Sequence, residues 1–105
     1  MIAATQELRN GWLVVSVTGR ADSEAADALE AALRLALDQH SKVAADFSAL
    51  DYISSAGLRA VLQSARAAQS KEVEFAVCGM SGNVKKVFEM SGMHHLLTIH
   101  GELPC

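Results

Sequence analysis

Strand-like apolar runs alternate with segments of helical periodicity along almost the whole 105-residue chain. The first two strands, predicted over residues 2–9 and 12–18, flank Asn10 and Gly11, a pair that favours the type I′ hairpin turn. Further strands are predicted over residues 42–47, 73–78 and 96–99. Strands separated by helices pair in parallel through crossover connections. We therefore expect an α/β fold: a mixed sheet with an N-terminal hairpin, in the order β-β-α-β-α-β-α-β, and helices packed on it.

Three segments place apolar residues on one helical face. The first follows an N-cap at Asp22 or Ser23, the second covers residues 56–72, and the third lies between a cap at Ser81 and a terminating Gly92. The faces predicted to be buried are, in chain order, Ala25, Leu29, Ala32, Leu33, Ala36 and Leu37; Leu58, Val61, Leu62 and Ala65; and Val84, Val87 and Phe88.

Two stretches predict breaks in regular structure. Gly19 is expected to end the second strand, and residues 48–55 are polar and turn-like apart from Leu50, Tyr52 and Ile53. We therefore expect a loop between the third strand and the second helix.

Composition limits the classes of protein to which the chain can belong. The chain has no internal repeat or linker, and its one proline is Pro104, so a single domain over residues 1–105 is expected. The formal net charge of −3 argues against a nucleic-acid or anionic-membrane surface. No apolar run approaches the roughly 20 residues that span a bilayer, and no secretory signal is visible. Cys78 and Cys105 form no recognisable disulfide framework, so we expect a cytoplasmic protein.

The segment of residues 46–62 carries a strand, a loop and a helix that begins at Ser54 and Ser55. A serine at a helix start caps backbone N–H groups with its hydroxyl. A phosphoryl group there would face the same N–H groups and the positive end of the helix dipole, so its charge could be tolerated. On the residues alone, capping is the simpler interpretation.

The run Asp46-Phe-Ser-Ala-Leu-Asp-Tyr-Ile-Ser-Ser-Ala-Gly-Leu58 resembles the signature loop of the STAS family, named for sulfate transporters and anti-sigma factor antagonists. Residues 18–22 resemble the family's segment before the first helix, and residues 84–93 resemble its late helix. The resemblance extends over nearly the whole chain in the same order. It implies a bacterial anti-sigma factor antagonist, a phosphoprotein that regulates transcription.

In the antagonists, the serine two residues before the loop glycine is phosphorylated, which corresponds to Ser55 here, with Ser54 as a less favoured alternative. The resemblance implies that a serine kinase, which is also the anti-sigma factor, binds the unmodified protein and is released after phosphorylation. A metal-dependent serine phosphatase would restore binding. The residues expected to bind or support the partner are Asp22, Asp46, Ser54, Ala56, Gly57, Leu58 and Arg59. Arg59 and Arg66 could contact an acidic partner surface.

Two departures from the family pattern lie beside Ser55. Ser54 replaces the usual acidic residue, and Ala56 replaces the usual serine or threonine. This variant loop would also suit a partner-switching circuit without a standard anti-sigma kinase. The alternative is a constitutive STAS scaffold that is never phosphorylated.

Other chemistry finds little support in the sequence. His40, His94, His95 and His100 show no triad spacing to the serines, and no glycine forms a nucleophile elbow before Ser55. His94, His95, His100 and Cys105 do not show the paired spacing of a metal site. We therefore expect no enzymatic activity, metal or cofactor.

Overall fold

The computed structural model describes residues 1–80 and 82–92, and the backbone of residues 98–100. Its elements follow the predicted order: β1 Ile2–Arg9, β2 Trp12–Ala21, α1 Ala26–Leu37, β3 Lys42–Ile53, α2 Ser55–Lys71, β4 Glu74–Cys78, α3 Gly82–Ser91 and β5 Thr98–His100. The cap expected at Ser81 and the strand start expected at Leu96 lie outside the described residues.

The strands form one mixed sheet in the order β1-β2-β3-β4-β5. β1 and β2 pair antiparallel, and the three following pairs are parallel. Asn10 and Gly11 have φ values of 54° and 84°, as a type I′ turn requires. The predicted hairpin and the predicted α/β fold are therefore confirmed.

The breaks predicted at Gly19 and over residues 48–55 are wrong. β2 continues through Gly19 to Ala21, and β3 continues to Ile53. The two extensions pair with each other, and each of two register shifts places one extra residue on β3. These bulges break the alternation of buried and exposed side chains, since Leu50 and Ile53 are buried three residues apart. The segment therefore lacks the two-residue period by which a strand is recognised.

Gly19 allows β2 to continue because glycine can adopt the positive φ that this position requires. Its φ is +99°, and a Cβ at this position would lie 2.5 Å from the carbonyl oxygen of Met1. A side chain here would disrupt the pairing of β2 with the start of β1.

The core lies between one face of the sheet and the helices. Leu13, Val15 and Val17 of β2 lie beside Val43, Ala45 and Phe47 of β3 on that face. The aromatic rings of Phe47 and Phe88 are 6.2 Å apart between centroids, which joins α3 to the same cluster.

The apolar stripe of α1 is buried as predicted at Leu29, Leu33, Ala36 and Leu37, whereas Ala32 is only half-buried. The predicted helix start is wrong. α1 begins at Ala26 after an N-cap at Ala25 that makes no side-chain hydrogen bond. Asp22 instead accepts a hydrogen bond from the Ala25 N–H at 3.0 Å. Its carboxylate closes the turn before the helix.

The buried face of α2 differs from the predicted one. It consists of Gly57, Ala60, Val61, Ser64 and Ala68, while Leu58, Leu62 and Ala65 are half-buried beside it. Small residues turn inward because α2 packs closely against the sheet and α1. Ser64 is accommodated because its hydroxyl donates to the Ala60 carbonyl at 2.8 Å.

The ends of α2 and α3 are close to their predicted positions. Glu72 ends α2 in the left-handed conformation, and the Val73 N–H donates to the Ala68 carbonyl. Val73 therefore belongs to the helix cap, and β4 begins one residue later than predicted. Gly92 follows α3 with a φ of +77°, the terminating conformation predicted for it.

Cys78 is fully buried in β4. Among the helices in the described part of the chain, none is long and apolar enough to cross a membrane.

Leu33→Ala tests the packing of α1 on the sheet. The Leu33 side chain has no exposed surface, so we expect a loss of about 2–5 kcal/mol in the free energy of unfolding. Urea unfolding monitored by the fluorescence of Trp12, the one tryptophan, measures this loss. Leu35→Ala is the control, since Leu35 is 55% exposed on the same helix and should change stability by about 0.5 kcal/mol or less. Equal losses would contradict the assigned helix face.

Candidate functional site

Ser54 fixes the start of α2 against the end of β2. Its hydroxyl accepts a hydrogen bond from the Gly57 N–H at 3.1 Å and donates one to the Ala21 carbonyl at 3.0 Å. The Ser54 N–H donates to the same carbonyl at 2.9 Å. Ser54 is therefore the N-cap, and both functions of its hydroxyl are in use.

Ser55 is the first residue of α2 and its side chain is exposed. The two adjacent serines thus differ in their surroundings: Ser54 is half-buried within the cap, whereas Ser55 faces outward. A modifying enzyme could reach Ser55 without disturbing the cap.

Gly57 allows α2 to approach the sheet closely. A Cβ built on Gly57 would lie 2.8 Å from Cγ1 of Ile53 and 2.9 Å from the Ala21 carbonyl oxygen. The φ of Gly57 is not positive, so the position requires a small residue because of space rather than backbone conformation. Close packing here holds Ser54 within hydrogen-bonding distance of Ala21.

A groove between α1 and α2 opens beside Ser55. Its volume is about 330 Å³, and we call it the Ser55 groove. Its lining consists of Ser23, Ala26, Asp27 and Glu30 on one side and Ser55, Ala56, Arg59 and Ala60 on the other. The α1 side was not predicted as part of the site. Asp27 and Glu30 stood out in the sequence only as charged residues outside the apolar stripe.

Asp22 lies next to this arrangement. It follows Ala21, whose carbonyl binds Ser54, and its other carboxylate oxygen is 3.6 Å from the amino group of Met1. Asp22 therefore stabilises the turn between β2 and α1, and its predicted role in partner binding stays a prediction.

Asp46 lies elsewhere in the sheet. Its Oδ1 accepts a hydrogen bond from the Ser48 N–H at 3.0 Å, and a Cβ on Gly79 would lie 2.7 Å from that oxygen. Asp46 also pairs in register with Cys78, at the end of β4. These contacts place it at the β4–α3 connection, while β3 runs seven residues further before it reaches Ile53.

The other residues predicted to contact a partner lie in three different places. Ala56 and Arg59 line the Ser55 groove, and Arg59 is exposed. Leu58 packs partly against the core, and its N–H donates to the Ser54 carbonyl. Arg66 lines a different groove with Arg34, Gln63 and Lys71, so the structure does not bring it together with Ser55.

An exposed pair of side chains also lies at the ends of β2 and β3. The Arg20 guanidinium stacks 4.4 Å from the centre of the Tyr52 ring, which is 38% exposed. The sequence did not indicate this pair, because the contact depends on the shifted register between the two strands.

Among the described residues, no group of three or more histidine, cysteine or acidic side chains could hold a metal ion. Nδ1 of His40 accepts a hydrogen bond from the Lys42 N–H. His94, His95 and Cys105 lie outside the described residues, as does the side chain of His100.

Comparison with known proteins gives consistent matches. The family model described as "Mlab, STAS domain" matches residues 5–98. BtrV of Bordetella bronchiseptica, provisionally assigned as an anti-sigma factor antagonist, is 38% identical over 89 residues, which cover 84% of this chain and 77% of BtrV.

Solved structures share the fold. The crystal structure of an anti-sigma factor antagonist from Mycobacterium paratuberculosis superposes with a TM-score of 0.81 at 26% identity, covering 98% of this chain and 88% of that one. Phosphorylated SpoIIAA from Bacillus gives a TM-score of 0.68 at 22% identity, covering 95% of this chain and 93% of its own, and this likeness concerns the fold alone.

Ser54→Ala and Ser55→Ala test the division of roles between the two serines. Loss of the Ser54 cap should lower the free energy of unfolding by about 0.5–2 kcal/mol, because the Gly57 N–H and the Ala21 carbonyl each lose a partner. Ser55→Ala should change it by about 0.5 kcal/mol or less. Urea unfolding of both variants decides the matter, and an equal or larger loss for Ser55→Ala would contradict the assigned cap.

Gly57→Ala tests the close approach of α2. The added methyl group must displace Ile53 or the Ala21 carbonyl, so we expect a loss of about 1–3 kcal/mol despite the higher helix propensity of alanine. Thermal unfolding measures the change. Gly82→Ala is unsuitable as a control, because Gly82 has a φ of +56° that alanine rarely adopts. Ala56→Gly is the control instead, since it changes the adjacent position without adding volume. An increase in stability for Gly57→Ala would show that the approach is looser than described.

Proposed function

The chain belongs to the STAS domain family, and on this premise we propose that it is an anti-sigma factor antagonist whose partner binding is switched off by phosphorylation of Ser55. The observation that carries the proposal is the contrast between the two serines. Ser54 is committed to the helix cap, while Ser55 is exposed at the rim of the Ser55 groove.

A phosphoryl group on Ser55 is compatible with the fold. The exposed Ser55 hydroxyl lies at the N-terminus of α2, where the helix dipole favours negative charge. Phosphorylation of Ser54 would instead remove the hydroxyl hydrogen that is donated to the Ala21 carbonyl. The geometry therefore favours Ser55 over Ser54 as the acceptor.

The switch follows from charge at an interface. A phosphoserine adds about −1.5 to −2 charges at neutral pH. A partner that covers the Ser55 groove would have to remove water from this charge, which is costly unless the partner provides a matching cation. The unmodified site presents a neutral serine hydroxyl beside Ala56, so binding is favoured before phosphorylation and weakened after it.

The proposed partners are those implied by the family. They are a serine kinase that is also the anti-sigma factor, and a metal-dependent serine phosphatase that restores the unmodified form. The names of the relatives support the anti-sigma factor, and a phosphorylated form of SpoIIAA supports the modification. We place the protein in the bacterial cytoplasm as a non-catalytic regulator of transcription, with one STAS domain over residues 1–105 and no cofactor.

A second candidate function is a constitutive STAS scaffold. It is favoured by Ser54 and Ala56, which depart from the acidic residue and the hydroxyl residue that flank the acceptor in the antagonists. In this case the Ser55 groove would bind a partner without being modified.

The decisive experiment combines mass spectrometry with a binding measurement. Intact-mass analysis and peptide mapping of protein from its native cells should find one phosphoryl group on Ser55 in a fraction of the molecules. The kinase is captured with Ser55→Ala and titrated calorimetrically. Phosphoserine at position 55, introduced by genetic code expansion, should weaken binding at least about tenfold, equivalent to about 1.4 kcal/mol. Ser55→Asp should weaken it less, and Ser55→Ala should retain it.

Ser70 provides the matched control, because it is exposed on α2 but lines the other groove. Ser70→Asp adds a charge to the same helix and should leave binding unchanged. Equal affinity of the unmodified and phosphorylated forms for a captured partner would reject the switch. An unmodified Ser55 under all growth conditions, together with a stable partner, would establish the scaffold.

A further inference from the structure

The Ser55 groove contains one positively charged side chain, Arg59. Arg59 follows Ser55 by four residues in α2, and side chains four residues apart are neighbours on a helix surface. Both residues are exposed and line the same groove. An anionic group on the Ser55 oxygen would therefore lie on the helix face that carries the Arg59 guanidinium.

Arg59 also differs from most other arginines in its contacts. Arg9 pairs with Glu7, Arg34 pairs with Glu30 at 3.0 Å, and Arg20 stacks on Tyr52. Within the described residues, Arg59 and Arg66 are the two arginines without an ion pair or a ring contact. Of these two, only Arg59 lines the groove that contains Ser55.

The opposite wall of the groove is acidic. Glu30 is held by Arg34, whereas Asp27 makes no ion pair within the described part of the chain. A phosphoryl group on Ser55 would thus meet one attractive charge on α2 and one repulsive charge on α1. At the end of β2, the Asp22 carboxylate pairs with the amino group of Met1 at 3.6 Å.

We propose that Arg59 binds the phosphoryl group of phosphorylated Ser55, and that Asp27 opposes this pairing. The inference rests on the proposed function for its biological use. In the unmodified protein, Arg59 is available to an acidic partner surface. Phosphorylation engages the same guanidinium within the chain, so it adds a negative charge and withdraws a positive one from the interface. Arginine suits this role because its planar fork can bind phosphate oxygens through two hydrogen bonds.

The test places phosphoserine at position 55 by genetic code expansion and measures the second pKa of the phosphoryl group by ³¹P NMR. An adjacent guanidinium stabilises the dianion and lowers this pKa from its usual value near 6. Arg59→Ala should therefore raise the phosphoryl pKa by about 0.3 units, the shift that a helical ion pair of this spacing produces. Arg59→Lys should restore part of the difference.

Two further variants should change the phosphoryl pKa in the opposite direction to Arg59→Ala or leave it unchanged. Asp27→Asn should lower the phosphoryl pKa, because removing a nearby carboxylate favours the dianion. Arg66→Ala, an arginine of the same helix in a different groove, should leave the pKa unchanged. The Arg59 effect should also shrink in about 1 M salt, where the screening length falls to about 3 Å.

An Arg59→Ala variant with the parental phosphoryl pKa would overturn the proposal, as would an equal shift for Arg66→Ala. Circular dichroism of each phosphorylated variant confirms that it is folded. Because phosphoserine is introduced without a kinase, the result does not depend on whether cells modify Ser55. Failure of the Arg59 pairing is thereby separated from failure of the proposed switch.

Discussion

The Ala21 carbonyl is the contact on which the site depends. It accepts hydrogen bonds from both the N–H and the hydroxyl of Ser54, and so joins the end of β2 to the start of α2. Gly57 allows the approach, since any larger residue would collide with that carbonyl and with Ile53. The same strand end continues into Asp22, which closes the turn before α1. The end of β2 thereby links the starts of the two helices that form the Ser55 groove.

This anchoring separates the structural serine, Ser54, from the proposed acceptor, Ser55. A residue that is to be modified must be accessible, and its modification must leave the fold intact. Ser54 performs the structural task and Ser55 is free of it, although the two are adjacent in the chain. The replacement of an acidic residue by Ser54 fits this division. A carboxylate could accept the Gly57 N–H as well, but it could not donate to the Ala21 carbonyl. The departure from the family pattern therefore adds a hydrogen bond between sheet and helix.

The charges of the groove give the site a specific electrostatic character. Arg59 faces a wall that carries Asp27 and Glu30, and Glu30 is already paired with Arg34. With Arg34 counted, the charges around the unmodified groove nearly cancel, and one phosphoryl group would make the groove clearly negative.

Hydrophobic periodicity determined the element order, the hairpin and most of the α1 stripe, because these depend on local spacing and turn chemistry. Ser55 was proposed as the acceptor only through the family motif, since nothing in its local sequence distinguishes an acceptor serine from a cap. The extensions of β2 and β3 were missed because their bulges disrupt the two-residue period. The inward face of α2 was misplaced because close packing selects Gly57 and Ser64 over larger apolar residues. The bond from Ser54 to Ala21, the α1 wall of the groove and the separate location of Asp46 depend on contacts between distant segments. Only the tertiary structure decides them, because no local pattern records which surfaces meet.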